Sequence, residues 1–478
     1  MKKQLQLLIF LLPIAIFSQT QLGNDIDGEA FDDYFGTSVA ISGDGNVIAS
    51  GAPNNNGNGS SSGHVRIYQY SGGTWVQLGS DIDGEASNDQ SGRAVSLSND
   101  GFTVAIGTPF NDGNGANSGH VRVYQYSGGA WSQLGQDIDG VAGSSSGDSI
   151  SLSGDGTRVA IGAISDDGNG SDSGHTRIYQ YSSGAWSKLG NDIDGETAGD
   201  LSGGSVSLSN DGSTVAIGAL FNDGNGTESG HSRVYRYSGD TWSQLGGDID
   251  GEAAGDRSGA VSISSDGNIV AVGSHFNDGV NGSNSGSVRV FQYSGGSWSQ
   301  LGQDIDGEVT DEGLGQYVSI SANGSIVVAG APNVDKVKVF QYIGGTWSQA
   351  GTNIDNGSSS AGTAVSLSND GSKVAFGAPY NFGYRGNAYV FDVSAVLLSS
   401  NEYVLSQFSL YPNPAENQFT IQLKEGLELE KVTIYNHIGQ FIKQETKPIM
   451  NVSKLSKGIY FVEITTNQGK ATKKIIVK

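Results

Sequence analysis

Cysteine is absent from all 478 residues of this chain, so disulfide bonds cannot contribute to its stability. Basic side chains are scarce as well: 26 Lys and Arg face 49 Asp and Glu, which gives a formal charge of −23. Proteins that bind nucleic acid need clustered Lys and Arg to displace counterions from the phosphates. We therefore expect no nucleic-acid partner, and we expect stability to come from burial between repeated units.

Long apolar segments are missing beyond the N-terminus. Lys2 and Lys3 precede an apolar stretch over residues 5–17, and Ser18 offers a small residue for cleavage before Gln19. The stretch is too short for a membrane span, which needs about 20 residues. We predict a signal peptide at residues 1–18, followed by an exported monomer without a transmembrane segment.

What the chain has in abundance is repetition. One pattern recurs seven times between residues 19 and 393, and its period is 49 to 56 residues as marked by a tryptophan. The markers are Trp75, Trp131, Trp186, Trp242, Trp298 and Trp347. A fixed period in this range is typical of folds in which repeated units stack and share a core.

The second copy shows how one repeat folds. Residues 94–98 alternate small and apolar side chains, residues 99–101 form an Asn-Asp-Gly turn signal, and residues 103–107 follow as a second strand. Residues 120–126 and 131–135 supply two further strands. A four-stranded sheet cannot bury both of its faces alone, whereas seven such sheets packed radially can. We predict an all-β fold, a seven-bladed β-propeller of four-stranded antiparallel blades; an open β-solenoid is the alternative.

The two ends of the repeat region predict how the ring closes. Residues 21–26 match the end of a fourth strand that lacks its own first three strands. The last copy stops after its third strand, at residues 388–391. The N-terminal strand would therefore complete the last blade, and the propeller would span residues 19–395.

The first copy resembles a known repeat. It reads Phe-Gly at 35–36 and Gly-Ala-Pro at 51–53, and Gly-Ala-Pro recurs at 330–332 and 377–379. These motifs are similar to the FG-GAP repeat of integrin α-chain propellers and of many bacterial surface proteins. Calcium-binding members of that family carry a long Asp-rich loop between the first two strands. Short turns such as residues 43–45 replace that loop here, so the resemblance does not imply the family's usual calcium site.

The composition changes near residue 400. Residues 401–478 hold 4 Gly and carry 10 Lys/Arg against 7 Asp/Glu, whereas the remainder holds 70 Gly and 16 Lys/Arg against 42 Asp/Glu. This change predicts a second domain at residues 404–478, after a linker at 396–403. Four strand-like runs predict a small β-sandwich there, at 418–423, 431–435, 458–464 and 473–477.

Motifs in this second domain resemble the type A sorting domain of the type IX secretion system. Tyr-Pro-Asn-Pro at 411–414 is followed by Gly-Gln at 439–440, Lys-Gly-Ile-Tyr at 457–460 and a basic end at 473–478. The resemblance implies Bacteroidetes-type export across a Gram-negative outer membrane, with residues 404–478 contacting the type IX machinery. It also implies release from, or attachment to, the cell surface. A carbohydrate-binding β-sandwich is the alternative.

The loops between blades carry a candidate metal motif. Acids recur at positions i, i+2, i+4 and i+8, but the third loop has Val141 in place of Glu and the seventh keeps only Asn353 and Asp355. Oxygen ligands at this spacing suit Ca²⁺, which takes six to eight oxygens. The alternative is that these carboxylates accept backbone N–H bonds in turns. The candidate calcium ligands are Asp25, Asp27, Glu29, Asp33, Asp81, Asp83, Glu85, Asp89, Asp192, Asp194, Glu196, Asp200, Asp248, Asp250, Glu252, Asp256, Asp304, Asp306, Glu308 and Glu312.

Departures from the repeat indicate a second candidate site. The sixth copy has a short loop between its second and third strands, and the corresponding loop of the seventh copy is rich in aromatic residues. A notch beside exposed aromatic rings and an arginine could hold a sugar ring or a peptide side chain. Shielding of the closure seam is the alternative. The candidate ligand-binding residues are Asn333, Asp335, Tyr380, Phe382, Tyr384 and Arg385.

Residues that are copied from blade to blade favour packing over chemistry. The copied sets are His64, His120, His175 and His231, then Arg66, Arg122, Arg177, Arg233 and Arg289, and the tryptophans. We see no Ser/His/Asp grouping, so we expect no catalytic residues and no enzyme. We predict a secreted or cell-surface binding or adhesion protein with an extracellular protein or glycan ligand. A polysaccharide-active lyase or hydrolase, which an unmatched polar set at the channel mouth would favour, and a passive calcium-binding matrix protein are the alternatives.

Overall fold

The computed structural model describes residues 19–397, 408–424, 427–437, 439–466 and 469–478. The predicted signal peptide and all but residues 396–397 of the predicted linker lie outside the described residues. Within the described part of the chain, strands dominate and no helix has the length and apolar character needed to span a membrane.

Residues 19–397 form seven antiparallel sheets, which we number blades 1 to 7 in the order of their first strands. The first strands of the blades are Ser38–Ile41, Ala94–Leu97, Ser146–Leu152, Ser205–Leu208, Ser258–Ile263, Tyr317–Ile320 and Ala364–Leu367. The second strands are Val47–Ala52, Thr103–Thr108, Arg158–Ala163, Thr214–Ala219, Ile269–Ser274, Ile326–Ala331 and Lys373–Ala378. The third strands are His64–Ser71, His120–Ser127, His175–Ser182, His231–Ser238, Ser287–Ser294, Lys336–Ile343 and Asn387–Asp392.

The fourth strands of blades 1 to 6 each carry one of the marker tryptophans. They are Thr74–Gln77, Ala130–Gln133, Ala185–Lys188, Thr241–Gln244, Ser297–Gln300 and Thr346–Gln349. A short strand begins six of the seven loops that lead to the next blade, and it pairs with the third strand of the blade just completed. In the loop after blade 6, Ile354 forms only an isolated bridge with Val337. These short strands are Ile26–Asp27, Ile82–Asp83, Ile138–Asp139, Ile193–Asp194, Ile249–Asp250 and Ile305–Asp306.

A circuit of backbone hydrogen bonds closes the ring. In the turn between the first and second strands of every blade, one N–H donates to a carbonyl of the next turn at 2.8–3.0 Å. The circuit runs from Gly43 through Asn99, Gly154, Asn210, Ser265, Ala322 and Asn369 back to Gly43. The first strands of neighbouring blades also contact one another all round, including those of blades 7 and 1. This confirms the predicted propeller over the open solenoid for the described residues.

The N-terminal strand completes the last blade, as predicted. Thr20–Gln21 pairs with the third strand of blade 7, with Thr20 opposite Asp392 and Gln21 opposite Phe391. Ile26 is buried among apolar side chains from blades 1 and 7, so residues far apart in the chain share one core across the seam. The ring is therefore closed by pairing between its two ends.

Tryptophan and glycine residues make the close contacts between neighbouring blades. Each marker tryptophan donates its indole N–H to a leucine carbonyl next to the preceding blade's outer strand, as Trp131 does to Leu78 at 2.6 Å. Each Gly-Ala step at the end of a second strand approaches the next blade so closely that a Cβ on the glycine would meet a backbone carbonyl. The Gly-Ala step of the FG-GAP-like motif is thus a contact between neighbouring blades.

Residues 408–478 form two sheets that enclose their own core, as the β-sandwich prediction requires. One sheet contains Phe408–Tyr411, Gln418–Leu423 and Ile449–Asn451, and the other contains Phe441–Glu445, Leu429–Asn436, Gly458–Thr466 and Gly469–Val477. The buried cluster around Phe419, Ile434 and Val462 is drawn wholly from this segment. The segment therefore has the core of a separate domain.

Candidate functional site

The long loops between second and third strands and the loops between blades lie together on one side of the ring, which we call the loop face. Parallel bridges join them, for example Gly63 to Ser91 and Gly119 to Ser146. Asn58 of one loop donates to the carbonyl of Gly84 in the other at 2.9 Å. All twenty candidate calcium ligands belong to loops on this face.

The last acid of each loop motif is buried and hydrogen-bonded to its own loop. Asp33 Oδ2 accepts from the Ala30 N–H at 2.9 Å and from Asn55 at 3.0 Å. Asp89, Asp200 and Asp256 repeat this pair of bonds. Glu312 takes the same place before blade 6, where it pairs with Lys338 at 2.5 Å. These carboxylates cap the loop backbone, the role that acidic side chains commonly play in turns.

The first acid of each motif is held by a side chain four residues earlier. Gln21 donates to Asp25 at 2.8 Å, and Gln77 donates to Asp81 at 2.5 Å. The same contact recurs at Asp248 and Asp304. At Asp192 the partner is Lys188, at 2.7 Å. These carboxylates are half-buried or exposed.

The third acid, a glutamate, contacts an arginine on the third strand of the blade that follows its loop. Arg122 lies 3.3 Å from Glu85 and donates to the carbonyl of Asp83 at 2.9 Å, so it joins blade 2 to the strand attached to blade 1. Glu29, Glu196 and Glu252 have equivalent arginine contacts, and Glu308 contacts Lys338 instead. Where Val141 replaces the glutamate, Arg177 contacts Asp192 at 2.9 Å. Arg66, Arg122, Arg233 and Arg289 therefore join neighbouring blades, as predicted, whereas Arg177 contacts the loop that leaves its own blade.

The repeated histidines approach the same carboxylates. His64, His120 and His231 are each about 1% exposed, and each stands between a glutamate from the loop entering its blade and an aspartate from the loop leaving it. Burial is the main cause that lowers the pKa of His64 and His231 and brings that of His120 to about 4. At neutral pH these imidazoles are uncharged.

The closure seam holds a cleft of 650 Å³ on the loop face. Its lining joins N-terminal residues to the aromatic loop of blade 7 and consists of Gln21, Gly23, Asn24, Asp25, Asp27, Phe382 and Arg385. Arg385 donates to the carbonyl of Gly28 at 2.6 Å and lies 3.6 Å from Asp27, so it crosses the seam.

Aromatic rings stand beside this cleft. Tyr384 stacks on Tyr34 with ring centres 5.3 Å apart, and Tyr380 meets both rings edge-on. Phe382 is 64% exposed and has a φ of 47°, in the left-handed region that a bulky side chain seldom adopts. Phe382 and Tyr384 belong to the tight turn Asn381–Tyr384, in which Phe382, Gly383 and Tyr384 all have positive φ, and Tyr380 immediately precedes it.

Two predicted notch residues lie elsewhere on the loop face. Asn333 belongs to the 3₁₀ turn Pro332–Val334 of blade 6 and donates to the carbonyl of Asp311 at 3.2 Å. Asp335 accepts from the N–H of Ser360, in the loop that enters blade 7. None of the described contacts joins either residue to the aromatic rings at the seam. The structure thus brings Phe382 and Arg385 into one cleft and ties Asn333 and Asp335 to neighbouring loops.

The starts of the first strands carry a polar set that sequence analysis missed, and we call Arg93, Asp148 and Tyr317 the channel-mouth set. Arg93 Nε lies 3.9 Å from Asp148 Oδ1. Burial raises the pKa of Asp148 and of Tyr317. The positive charge of Arg93 partly offsets this effect by lowering both pKa values. The other blades have Ser or Ala at the position of Tyr317. This difference from the repeat is a signal in the sequence by which Tyr317 could have been identified.

The closed ring of antiparallel sheets with its loop face defines a β-propeller. An FG-GAP repeat matches residues 25–68 and 82–124, and a secretion system C-terminal sorting domain matches residues 409–478. The chain carries FG-GAP repeats on a propeller and ends in a type IX sorting domain, which directs it to the cell surface or the extracellular space in Bacteroidetes.

Curated relatives match the chain only in part. It is 33% identical over 92 residues to an endo-acting ulvan lyase of Formosa agariphila, and the match covers 18% of this chain and 18% of the lyase. It is 30% identical over 84 residues to an ulvan lyase of Nonlabens ulvanivorans, 16% of each chain. The chain thus spans less than a fifth of the length of these relatives.

Solved structures are similar in fold over most of the propeller. The hydrazine synthase of Kuenenia stuttgartiensis has a TM-score of 0.51 at 13% identity, covering 77% of this chain and 97% of that chain. The β-propeller domain of Cps50 (Swd1) from Myceliophteria thermophila has a TM-score of 0.51 at 11% identity, covering 78% and 100%. At these identities the likeness shows the fold alone.

Proposed function

We propose that this secreted or cell-surface propeller is a binding protein that holds an extracellular glycan in the seam cleft. The observation that carries the proposal is the cleft of 650 Å³ with Phe382 and Arg385 in its wall. Sites for sugars and other small ligands combine an apolar or aromatic surface with a few well-placed polar groups. Here Gln21, Asn24 and Asp25 supply amide and carboxylate groups that can hydrogen-bond sugar hydroxyls.

Charge favours a neutral glycan over an anionic one. The chain has a formal charge of −23, and its acidic loops are concentrated on the loop face. A surface of one sign repels ligands of the same sign and slows their association. The exposed ring of Phe382 suits the apolar face of a sugar, and its backbone strain is of the kind that clusters at ligand sites.

Replacing both Tyr380 and Tyr384 by alanine is expected to weaken binding to neutral polysaccharide at least about tenfold, a loss of about 1.4 kcal/mol. The two rings brace the loop that carries Phe382, and they are themselves about half exposed. Affinity electrophoresis in gels containing a neutral or an anionic polysaccharide measures the effect. The matched control is Phe110→Ala, because Phe110 has the same place in blade 2 as Tyr380 has in blade 7. Unchanged retention of the double variant would exclude the seam cleft as the binding site.

The channel-mouth set favours a second candidate function, a polysaccharide-active enzyme. Asp148 with a raised pKa beside Arg93, and the half-buried Tyr317 across the ring, are titratable groups of the kind used in general acid–base chemistry. An unmatched polar set buried at the channel mouth is the feature that would favour an enzyme over a binding protein; here Asp148 and Tyr317 are half-buried and Arg93 is exposed. In this proposal Asp148 would accept a proton from the polysaccharide and Tyr317 would donate one.

If the propeller cleaves polysaccharide, Tyr317→Phe is expected to lower the release of new chain ends by about two orders of magnitude, the usual contribution of a positioned acid or base. The substitution removes only the hydroxyl and keeps the ring in place. A reducing-end assay measures the rate, and Thr37→Ala, at the position in blade 1 that corresponds to Arg93, serves as the control. An active protein whose rate is unchanged in Tyr317→Phe would rule out the channel mouth.

A further inference from the structure

In three of the seven blades, the side chain at the start of the third strand lies between the loop that enters the blade and the loop that leaves it. In blades 1, 2 and 4 this side chain is a histidine, and the loops supply a glutamate and an aspartate. The three groups are Glu29, His64 and Asp81, then Glu85, His120 and Asp137, then Glu196, His231 and Asp248. Within each group one nitrogen and two carboxylate oxygens all lie within 4.8 Å of one another.

The histidines lack partners on the side that faces the carboxylates. His64 Nδ1 is 3.7 Å from Asp81 and 4.0 Å from Glu29, both too long for a hydrogen bond. His120 Nδ1 is 3.9 Å from Asp137, and His231 Nδ1 is 3.8 Å from Glu196. Nε2 of His64 and of His120 is buried without a hydrogen-bond partner. The Nδ1–carboxylate distances show that Nδ1 is the ring nitrogen that faces the carboxylates.

We propose that blades 1, 2 and 4 each bind one divalent transition-metal ion, such as Zn²⁺, through the Nδ1 of the histidine and one oxygen from each carboxylate. A tetrahedral ion with ligands at about 2.1 Å keeps its ligand atoms about 3.4 Å apart. The Nδ1–oxygen distances of 3.7–4.0 Å would have to shorten by about 0.3–0.6 Å to reach that spacing, and the other separations, which are within 4.8 Å, by up to about 1.4 Å. The carboxylates can make this movement, because Glu29 and Asp81 have side chains 47% and 28% exposed. Three protein ligands leave a fourth position open to water or an external ligand.

The chemistry of the ligands separates this site from a calcium site. Ca²⁺ takes six to eight oxygens, whereas imidazole favours zinc, copper, iron and nickel. Uncharged imidazole is the form that binds a metal. The neighbouring arginine contacts the other glutamate oxygen: Arg233 is 3.3 Å from Glu196 Oε1, while Oε2 faces His231. The arginine thus orients the carboxylate, as residues behind metal ligands commonly do.

The remaining blades provide controls within the same molecule. Blade 3 keeps His175 but has Val141 in place of the glutamate, and its histidine lies 3.1 Å from Asp166 instead. Blade 5 keeps both acids but has Ser287 in place of the histidine, and blade 6 has Lys336 there. Among the described residues, only blades 1, 2 and 4 assemble the complete group. The proposal therefore predicts three ions per chain rather than one for every blade.

Titration of Zn²⁺ into the chelator-treated protein is expected to show three ions per chain, measured by calorimetry and by elemental analysis after gel filtration. His64→Ala, His120→Ala and His231→Ala should each lower the number to two, and the triple variant should bind none. His175→Ala is the matched control and should keep all three. A tenfold excess of Ca²⁺ should leave the Zn²⁺ count unchanged.

Three results would overturn the proposal, and the first two are three ions retained by the triple variant and no Zn²⁺ bound by the wild-type protein. An equal loss in His175→Ala would overturn it as well, because that histidine lacks the glutamate. If the buried-histidine variants fail to fold, the triple variant Glu29→Gln, Glu85→Gln and Glu196→Gln replaces them, since its side chains are 42–48% exposed. The outcome is independent of the glycan-binding measurement, which uses residues at the seam.

Discussion

Removing residues 408–478 is expected to abolish delivery of the protein to the cell surface and the medium, with the protein retained inside the cell envelope. The reason is that a secretion system C-terminal sorting domain matches residues 409–478. The measurement is the amount of protein in medium, surface and envelope fractions of the producing bacterium. We expect the external amount to fall by more than tenfold.

The structure allows this result to be separated from misfolding. The buried cluster of the sorting domain contains only residues from 408 to 477, and the clusters between blades contain only residues before 398. The truncated propeller should therefore keep its own core, and its melting temperature should match that of the propeller in the intact chain. Fusion of residues 408–478 to an unrelated reporter behind an export signal tests sufficiency. Normal delivery of the folded, truncated protein would show that export does not depend on this domain.

Much of the fold could be predicted because its signals are local and repeated. The strands predicted for the second copy, at 94–98, 103–107, 120–126 and 131–135, agree with the observed strands to within two residues. Closure of the ring followed from counting strands at the two ends of the chain. These arguments need only the alternation of side chains and the turn residues, which one short stretch of sequence contains.

The candidate sites were harder because their members are far apart in sequence. Glu29, His64 and Asp81 come together only because the loops entering and leaving a blade lie on the same face. From the sequence, the acids were candidate calcium ligands or turn carboxylates and the histidines were interpreted as packing, and nothing in the pattern joined the two sets. The arginine pairing of Glu85 and the buried position of Asp89 are likewise invisible in a pattern of acids.

The channel-mouth set was missed for a different reason. The candidates taken from the sequence came from loops and from residues that recur. Arg93 and Asp148 instead share one position of the repeat, which the other blades fill with Thr, Gly or Gln, and Tyr317 replaces a Ser or Ala. In a ring of near-identical units, a side chain that differs from the repeat is either a neutral substitution or a functional residue. Its position at the centre of the ring, which only the assembled fold defines, distinguishes these cases.

The substitution Gly218→Ala is expected to destabilise the propeller by about 3 kcal/mol or more, because it forces two blades apart. A Cβ at Gly218 would lie much closer than 3.0 Å to the carbonyl oxygen of Gly259 in the next blade. Both partners are backbone, so no side chain can rotate to relieve the clash; overpacking of this kind costs about 1–3 kcal/mol or more. Gly247→Ala is the matched control, since nothing lies within 4 Å of its added methyl group.

Comparing these two variants separates the effect of the steric contact from the effect of the backbone conformation. Neither Gly218 nor Gly247 has a φ in the left-handed region, so the same chemical change differs only in what the methyl group meets. Denaturant unfolding of the two variants beside the wild-type protein measures the free energy of unfolding, and only Gly218→Ala should lose stability. The corresponding glycines are Gly51, Gly107, Gly162, Gly273, Gly330 and Gly377, and each faces a carbonyl of the following blade. Wild-type stability of Gly218→Ala would mean that the blades can separate at this contact without cost, and the Gly-Ala motif would then need another explanation.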